Sequence, residues 1–147
     1  MGFQNAYSAY QNTAVKTASQ GKLVVLLYEG AIRQLTAAEK CFDPATDKVP
    51  AHEIETFGNH IMKAQEIIGE LQTSLDMDKG GQIAQNLMSL YVYFNRELME
   101  ANISKDRKKL SFVHTMLGQL AEAWETAASN TSNASAATAR PTLNITG

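Results

Sequence analysis

Residues 54–75 read IETFGNHIMKAQEIIGELQTSL, and their apolar members Ile54, Phe57, Ile61, Ala64, Ile68, Leu71 and Leu75 recur at steps of three and four without a break. That spacing lays one stripe along an α-helix, because 3.6 residues complete a turn. A strand needs alternation with a period of two, and none appears. Three more segments repeat the pattern. Leu23, Leu27, Ala31, Leu35, Ala38 and Phe42 form the first stripe; Ile83, Leu87, Leu90, Phe94, Leu98 and Ala101 form the third. Leu110, Val113, Leu117, Leu120, Trp124 and Ala127 form the fourth.

The segments between these stripes are built to turn. DPATDKVP precedes the second helix, with Pro50 placed near its start, where a missing N–H does no harm. DMDKGG precedes the third, and Gly80 and Gly81 supply backbone conformations that other residues resist. Only Ile103–Ser104 separates the third stripe from the fourth, which calls for a tight turn. Short connections make successive helices antiparallel neighbours. The expected fold is all-α, an antiparallel up-down four-helix bundle over residues 19–128.

The ends differ in kind. Residues 1–18 lack a core period yet carry Phe3, Tyr7, Tyr10 and Val15, which suits an arm that packs on the bundle. From Ser129 the chain reads SNTSNASAATARPTLNITG, small and polar without period, and is expected to be a disordered tail.

Composition narrows the function. The 147 residues carry a net charge of −2, with 44% apolar and 19% charged residues, as in a globular domain. Nothing in that balance points to nucleic acid, and the KDRKK run at 105–109 reads as a solvated helix start. The longest wholly apolar run, Leu23–Tyr28, is too short to span a membrane. With one cysteine and no basic-then-apolar leader at the N-terminus, a cytoplasmic location is expected. The Asn-x-Ser/Thr triplets at Asn130, Asn133 and Asn144 are chance matches in a tail of that composition.

Bundles often house di-iron centres, which require Glu-x-x-His on two helices. No glutamate here has a histidine three residues on, and His52, His60 and His114 stand apart from such spacing. DMDKGG begins like a calcium loop with Asp76 and Asp78, but Leu87 stands where the bidentate glutamate belongs. Gly21–Lys22 lacks the upstream glycine of a phosphate loop, since Lys16 stands there. Cys41 ends an apolar stripe with no flanking histidine, as an inert thiol does. No cofactor, metal or catalytic group is expected.

What remains is surplus hydrophobicity. Beyond its stripe, the first helix carries Val24, Val25, Leu26, Tyr28 and Ile32, and the third adds Met88, Tyr91, Val92 and Tyr93. Two explanations stay open: these helices are the central ones, or they form a binding groove that the tyrosine-bearing arm covers.

AYQNTAVKTASQGKLVVLLYEGAI, then AQEIIGELQTSLDMDKGGQIAQNLMSLYVYFNREL, then AWETA, taken together, resemble the flagellin-specific export chaperone family FliS. The resemblance reaches to about Thr126 and leaves out the Asp43–Pro50 loop and the tail. It implies a cytoplasmic protein that holds the unstructured C-terminal segment of flagellin, prevents premature polymerisation and supports export by the flagellar type III apparatus. It also implies contacts with the flagellar export gate and flagellar regulators, and an arm that lies across the bundle until the client takes over part of that surface. Mapped onto this chain, the arm contacts would be Tyr7, Tyr10 and Gln11. The count of surplus apolar positions adds Val24, Val25, Tyr28, Met88, Tyr91 and Val92. A homodimer stays open, as does a scaffold or regulatory bundle for some other amphipathic helix.

Overall fold

The computed structural model describes residues 20–137, with side chains through Ser129. Four helices account for most of it: α1 (Gln20–Glu39), α2 (Ile54–Ser74), α3 (Gly81–Ser104) and α4 (Arg107–Ala137). A single 3-10 turn, Ala51–Glu53, leads into α2. Helix α1 packs on α2 and α4, and α3 closes the ring by packing on α2 and α4. Sequential helices are therefore neighbours, while α1 and α3 stand diagonally opposed, the arrangement of an up-down four-helix bundle.

The connections show why the chain reverses where it does. After α1, the Asp43 carboxylate accepts the Ala45 N–H, and the Asp43 N–H donates to the Lys48 carbonyl at 2.8 Å, folding the loop back. Between α2 and α3, the Asp76 carboxylate accepts the N–H groups of Asp78 and Lys79. Gly80 then approaches the next turn so closely that an added Cβ would lie 2.5 Å from the Ala84 Cβ and 2.7 Å from the Asp76 carbonyl oxygen. Gly81 comes next with φ +56, a left-handed conformation natural to glycine. The α3–α4 turn is only Lys105 and Asp106. Lys105 ends α3 in the left-handed region, and the Asp106 carboxylate accepts from Lys108 N and Lys109 N to cap α4. The break therefore falls just after Ile103–Ser104, and KDRKK is a two-residue turn leading into a helix start.

The core is apolar throughout: among the described residues no polar or charged side chain is buried. Helix α1 is the central element, with Leu23, Val24, Val25, Leu27, Tyr28, Ala31, Leu35 and Ala38 all buried. At the end where α1 and α3 finish, Phe42 meets Phe57 edge-on at 5.3 Å, and Lys105 and Arg107 lie over those two rings.

Two expectations shift. Helix α4 continues to Ala137, past the Ser129 boundary where a disordered tail was expected to start. Extending an established helix avoids the cost of nucleation, and three alanines in NTSNASAA favour it. Residues 138–147 and 1–19, the latter holding the arm expected at 1–18, lie outside the described residues. The second shift is the rotation of α3. Its buried residues are Ala84, Tyr91, Phe94, Leu98 and Ala101, while Ile83 is 39% exposed and Leu87 and Leu90 are half-buried.

Candidate functional site

Of the six bundle residues taken from the surplus as candidate contacts, four lie in the core. Tyr28 and Tyr91 are fully enclosed, and Val24 and Val25 are each only 7% exposed. The two tyrosines face each other across the bundle diagonal, with their hydroxyls hydrogen-bonded at 2.5 Å. Burial pushes both phenols up from the ordinary tyrosine value, partly offset at Tyr28 by hydrogen bonds from Tyr91 and from the Trp124 indole. Neither ring is free to meet a ligand unless what covers it moves aside. The central-helix explanation thus accounts for most of the surplus on α1.

Met88 and Val92 are placed differently. Met88 is half-buried at the α2–α3 seam, where its sulfur accepts from Gln72 Nε2 at 3.4 Å. Val92 is 50% exposed on the outer side of α3. The candidates therefore fall into a buried group on the α1–α3 diagonal and a surface pair on α3. Tyr7, Tyr10 and Gln11 lie outside the described residues.

The α2–α3 seam has a regular construction. Gly58 sits opposite Asn102, the Gln65 side chain donates to the Asn95 carbonyl at 3.0 Å, and Gln72 reaches Met88. Each rung lies seven residues from the next on both helices, which is the register of an antiparallel pair. Outside this seam Met62 of α2 is 53% exposed, and α3 exposes Met99 at 49% and Ile103 at 75%. These residues were missed as candidates because they lie off the stripes used to place the helices. Their signal was available: Met88, Val92, Met99 and Ile103 form a second apolar row on α3, spaced four, seven and four.

The polar clusters serve structure. Glu39 accepts from His114 Nδ1 and from the Ser111 hydroxyl, and His114 Nε2 meets the Thr36 hydroxyl at 3.1 Å. A hydroxyl, an imidazole and a carboxylate in series suggest nucleophile chemistry. Here the network closes on itself along the α1–α4 seam and joins the two helices. The Cys41 thiol is buried and pushed up by burial and by Glu53, so little thiolate forms. Among the described residues no group of three or more His, Cys, Asp or Glu is placed to hold a metal ion. No described helix is long and apolar enough to cross a membrane.

Among the described residues this geometry offers exposed apolar surface, and the comparisons with known proteins agree in kind. The family model described as "Flagellar protein FliS" matches residues 3–131. The chain is 30% identical over 127 residues to the flagellar secretion chaperone FliS of Bacillus subtilis, covering 86% of this chain and 89% of that protein. It is 34% identical over 114 residues to the flagellar secretion chaperone FliS of Salmonella typhimurium, covering 77% and 79%. With the flagellar secretion chaperone FliSB of Pseudomonas aeruginosa it shares 32% over 124 residues, covering 82% and 93%. A match that takes in the arm, all three turns and all four apolar stripes makes this chain a member of the FliS family.

Proposed function

We propose that this protein is a cytoplasmic flagellar secretion chaperone. It binds the C-terminal segment of flagellin, keeps that segment from polymerising early and supports its export by the flagellar type III apparatus. The observation that carries the reading is the family match from residue 3 to residue 131, with relatives named flagellar secretion chaperones. A disordered amphipathic segment gains enough burial on an extended apolar surface to offset its ordering, while the complex stays dissociable. The protein acts by binding rather than by catalysis.

In this reading Tyr7, Tyr10 and Gln11 are arm contacts, and Met88 and Val92 are the bundle residues a client reaches directly. For Val24, Val25, Tyr28 and Tyr91, contact requires the elements that cover them to move aside; until then they support the wall from within. An arm that occupies client surface lowers apparent affinity, because only the open fraction binds.

Co-purification tests this with intact flagellin beside flagellin lacking its C-terminal segment. Retention of the intact protein alone is the expected result. Equal retention of both, or of neither, would sink the reading.

A further inference from the structure

Methionine commonly fills irregular gaps inside a protein. This chain has six, and none of the five described ones lies in the core. Met62, Met77 and Met99 are exposed, and Met88 and Met116 are half-buried. Three of the five gather along one seam. Met62 on α2 and Met99 on α3 both stand between the Gly58–Asn102 and Gln65–Asn95 rungs, and Met88 makes the third rung with Gln72. The side chains that would compete for an oxidant are withdrawn from water. Cys41, the single cysteine, is buried and donates to the Ala37 carbonyl; burial and Glu53 push its thiol up, so little thiolate forms. Trp124 is buried as well. An oxidant arriving from solvent therefore meets thioethers first, and most of them line the α2–α3 seam.

We infer that the outer face of the α2–α3 seam is a reversible oxidation site, where a peroxide converts Met62 and Met99, and then Met88, to sulfoxides and turns an apolar surface polar. A sulfur lone pair attacks one peroxide oxygen; the S–O bond forms, the O–O bond breaks, and the second oxygen leaves as water. Sulfur loses two electrons and the peroxide gains them. Two thiols of a sulfoxide reductase undo the step: the S–O bond breaks, its oxygen leaves as water, and the thiols become a disulfide. The seam can carry the product without unfolding. Gln72 Nε2 already donates to the Met88 sulfur at 3.4 Å, and a sulfoxide oxygen is a stronger acceptor for the same N–H. At Met62 and Met99, each about half exposed, water hydrates the new oxygen. The fold is thus spared, while a client that needs apolar contact loses it. That last consequence rests on the client reading proposed above.

The experiment treats the full chain with graded hydrogen peroxide and maps oxygen addition by peptide mass spectrometry. Circular dichroism follows folding, retention on a phenyl column follows surface polarity, and calorimetry follows flagellin binding. Met62, Met99 and the turn residue Met77 should be oxidised first, Met88 next, and Met116 and Cys41 last. Helix content should hold while phenyl retention falls. Flagellin affinity should drop by about fivefold or more and return after treatment with a sulfoxide reductase and a dithiol. Met62→Leu/Met88→Leu/Met99→Leu keeps side-chain volume and should hold retention and affinity to within about twofold through the same treatment. Met77→Leu should give no such protection. Oxidation that reaches Met116 or Cys41 as fast as the seam overturns the inference. So does helix loss that accompanies the seam sulfoxides, or a triple leucine chain as sensitive as the parent. Untreated protein that fails to hold flagellin would sink the client reading alone, because the mass map and the phenyl column still decide the oxidation site.

Discussion

The hydroxyls of Tyr28 and Tyr91 meet at 2.5 Å across the diagonal of the bundle, joining the two helices that do not otherwise pack on each other. Each satisfies the other in a core that buries no charged group. Tyr28→Phe leaves the Tyr91 hydroxyl buried with its partner gone, which costs about 1–3 kcal/mol. Tyr91→Phe leaves Tyr28 its hydrogen bond from the Trp124 indole and costs less. Removing both hydroxyls takes away that pair penalty. Denaturant midpoints should therefore show Tyr28→Phe/Tyr91→Phe less destabilised than the sum of the two single changes. Strict additivity would mean that the hydroxyls do not depend on each other.

The same pair sets an alkaline limit. Burial raises both phenols above the ordinary value of 10.0, because the ionised form is the one penalised. Below about pH 10 folded and unfolded chains both keep the protons, and stability is unaffected. Above it the unfolded chain releases protons that the folded chain holds, so stability falls as pH rises. The parent should lose stability above that point more steeply than the double phenylalanine variant. Parallel pH curves would exclude this origin.

Two glycines should respond to alanine with opposite signs. At Gly80 the new methyl group would collide with Ala84 and the Asp76 carbonyl, and the turn must open to admit it. Gly118 lies inside α4 with nothing within 4 Å of the added Cβ. Gly118→Ala should stabilise by about 0.5–1 kcal/mol through helix propensity, while Gly80→Ala should destabilise by at least about 1 kcal/mol. Thermal melts of the two variants, run side by side, decide the matter.

If the arm moves aside and then packs on the bound client, Tyr7→Ala/Tyr10→Ala should weaken flagellin binding about tenfold or more, the usual effect of losing aromatic anchors at an interface. An arm that only blocks would make the same variant bind at least as tightly. Calorimetry against the flagellin C-terminal segment gives the number. Binding as tight as the parent's would remove both tyrosines from the contact surface.

Much of the architecture could be read from residue spacing. The unbroken stripe from Ile54 to Leu75 placed α2, and Phe57, Ile61, Ala64, Ile68 and Leu71 are all buried as that stripe requires. Pro50, Gly80 and Gly81 marked the turns for reasons of backbone geometry that hold in any context. Helix α3 was harder, because it is apolar on two faces and spacing alone does not say which one turns inward. Its rotation is decided by Tyr28, 63 residues away in the chain, which takes Tyr91 into the core and leaves Ile83 near the surface. The same ambiguity blurred the candidate site. An apolar residue in excess of a helix's needs looks alike in sequence whether it fills the centre, as Val24 and Val25 do, or faces water, as Val92 does.

Trp124 is the sole tryptophan of the chain, buried to 6% exposure and hydrogen-bonded toward Tyr28. The protein thus carries a native optical gauge at the end of the bundle where α1 begins. Light absorbed by the neighbouring phenol rings passes to the indole, and the colour of its emission reports how much water reaches that ring. A ligand that pries apart this end should shift the emission to the red, while one that settles on the outside of α3 should leave it unchanged. Fluorescence from the unlabelled chain can therefore distinguish which side of the molecule a bound partner has engaged.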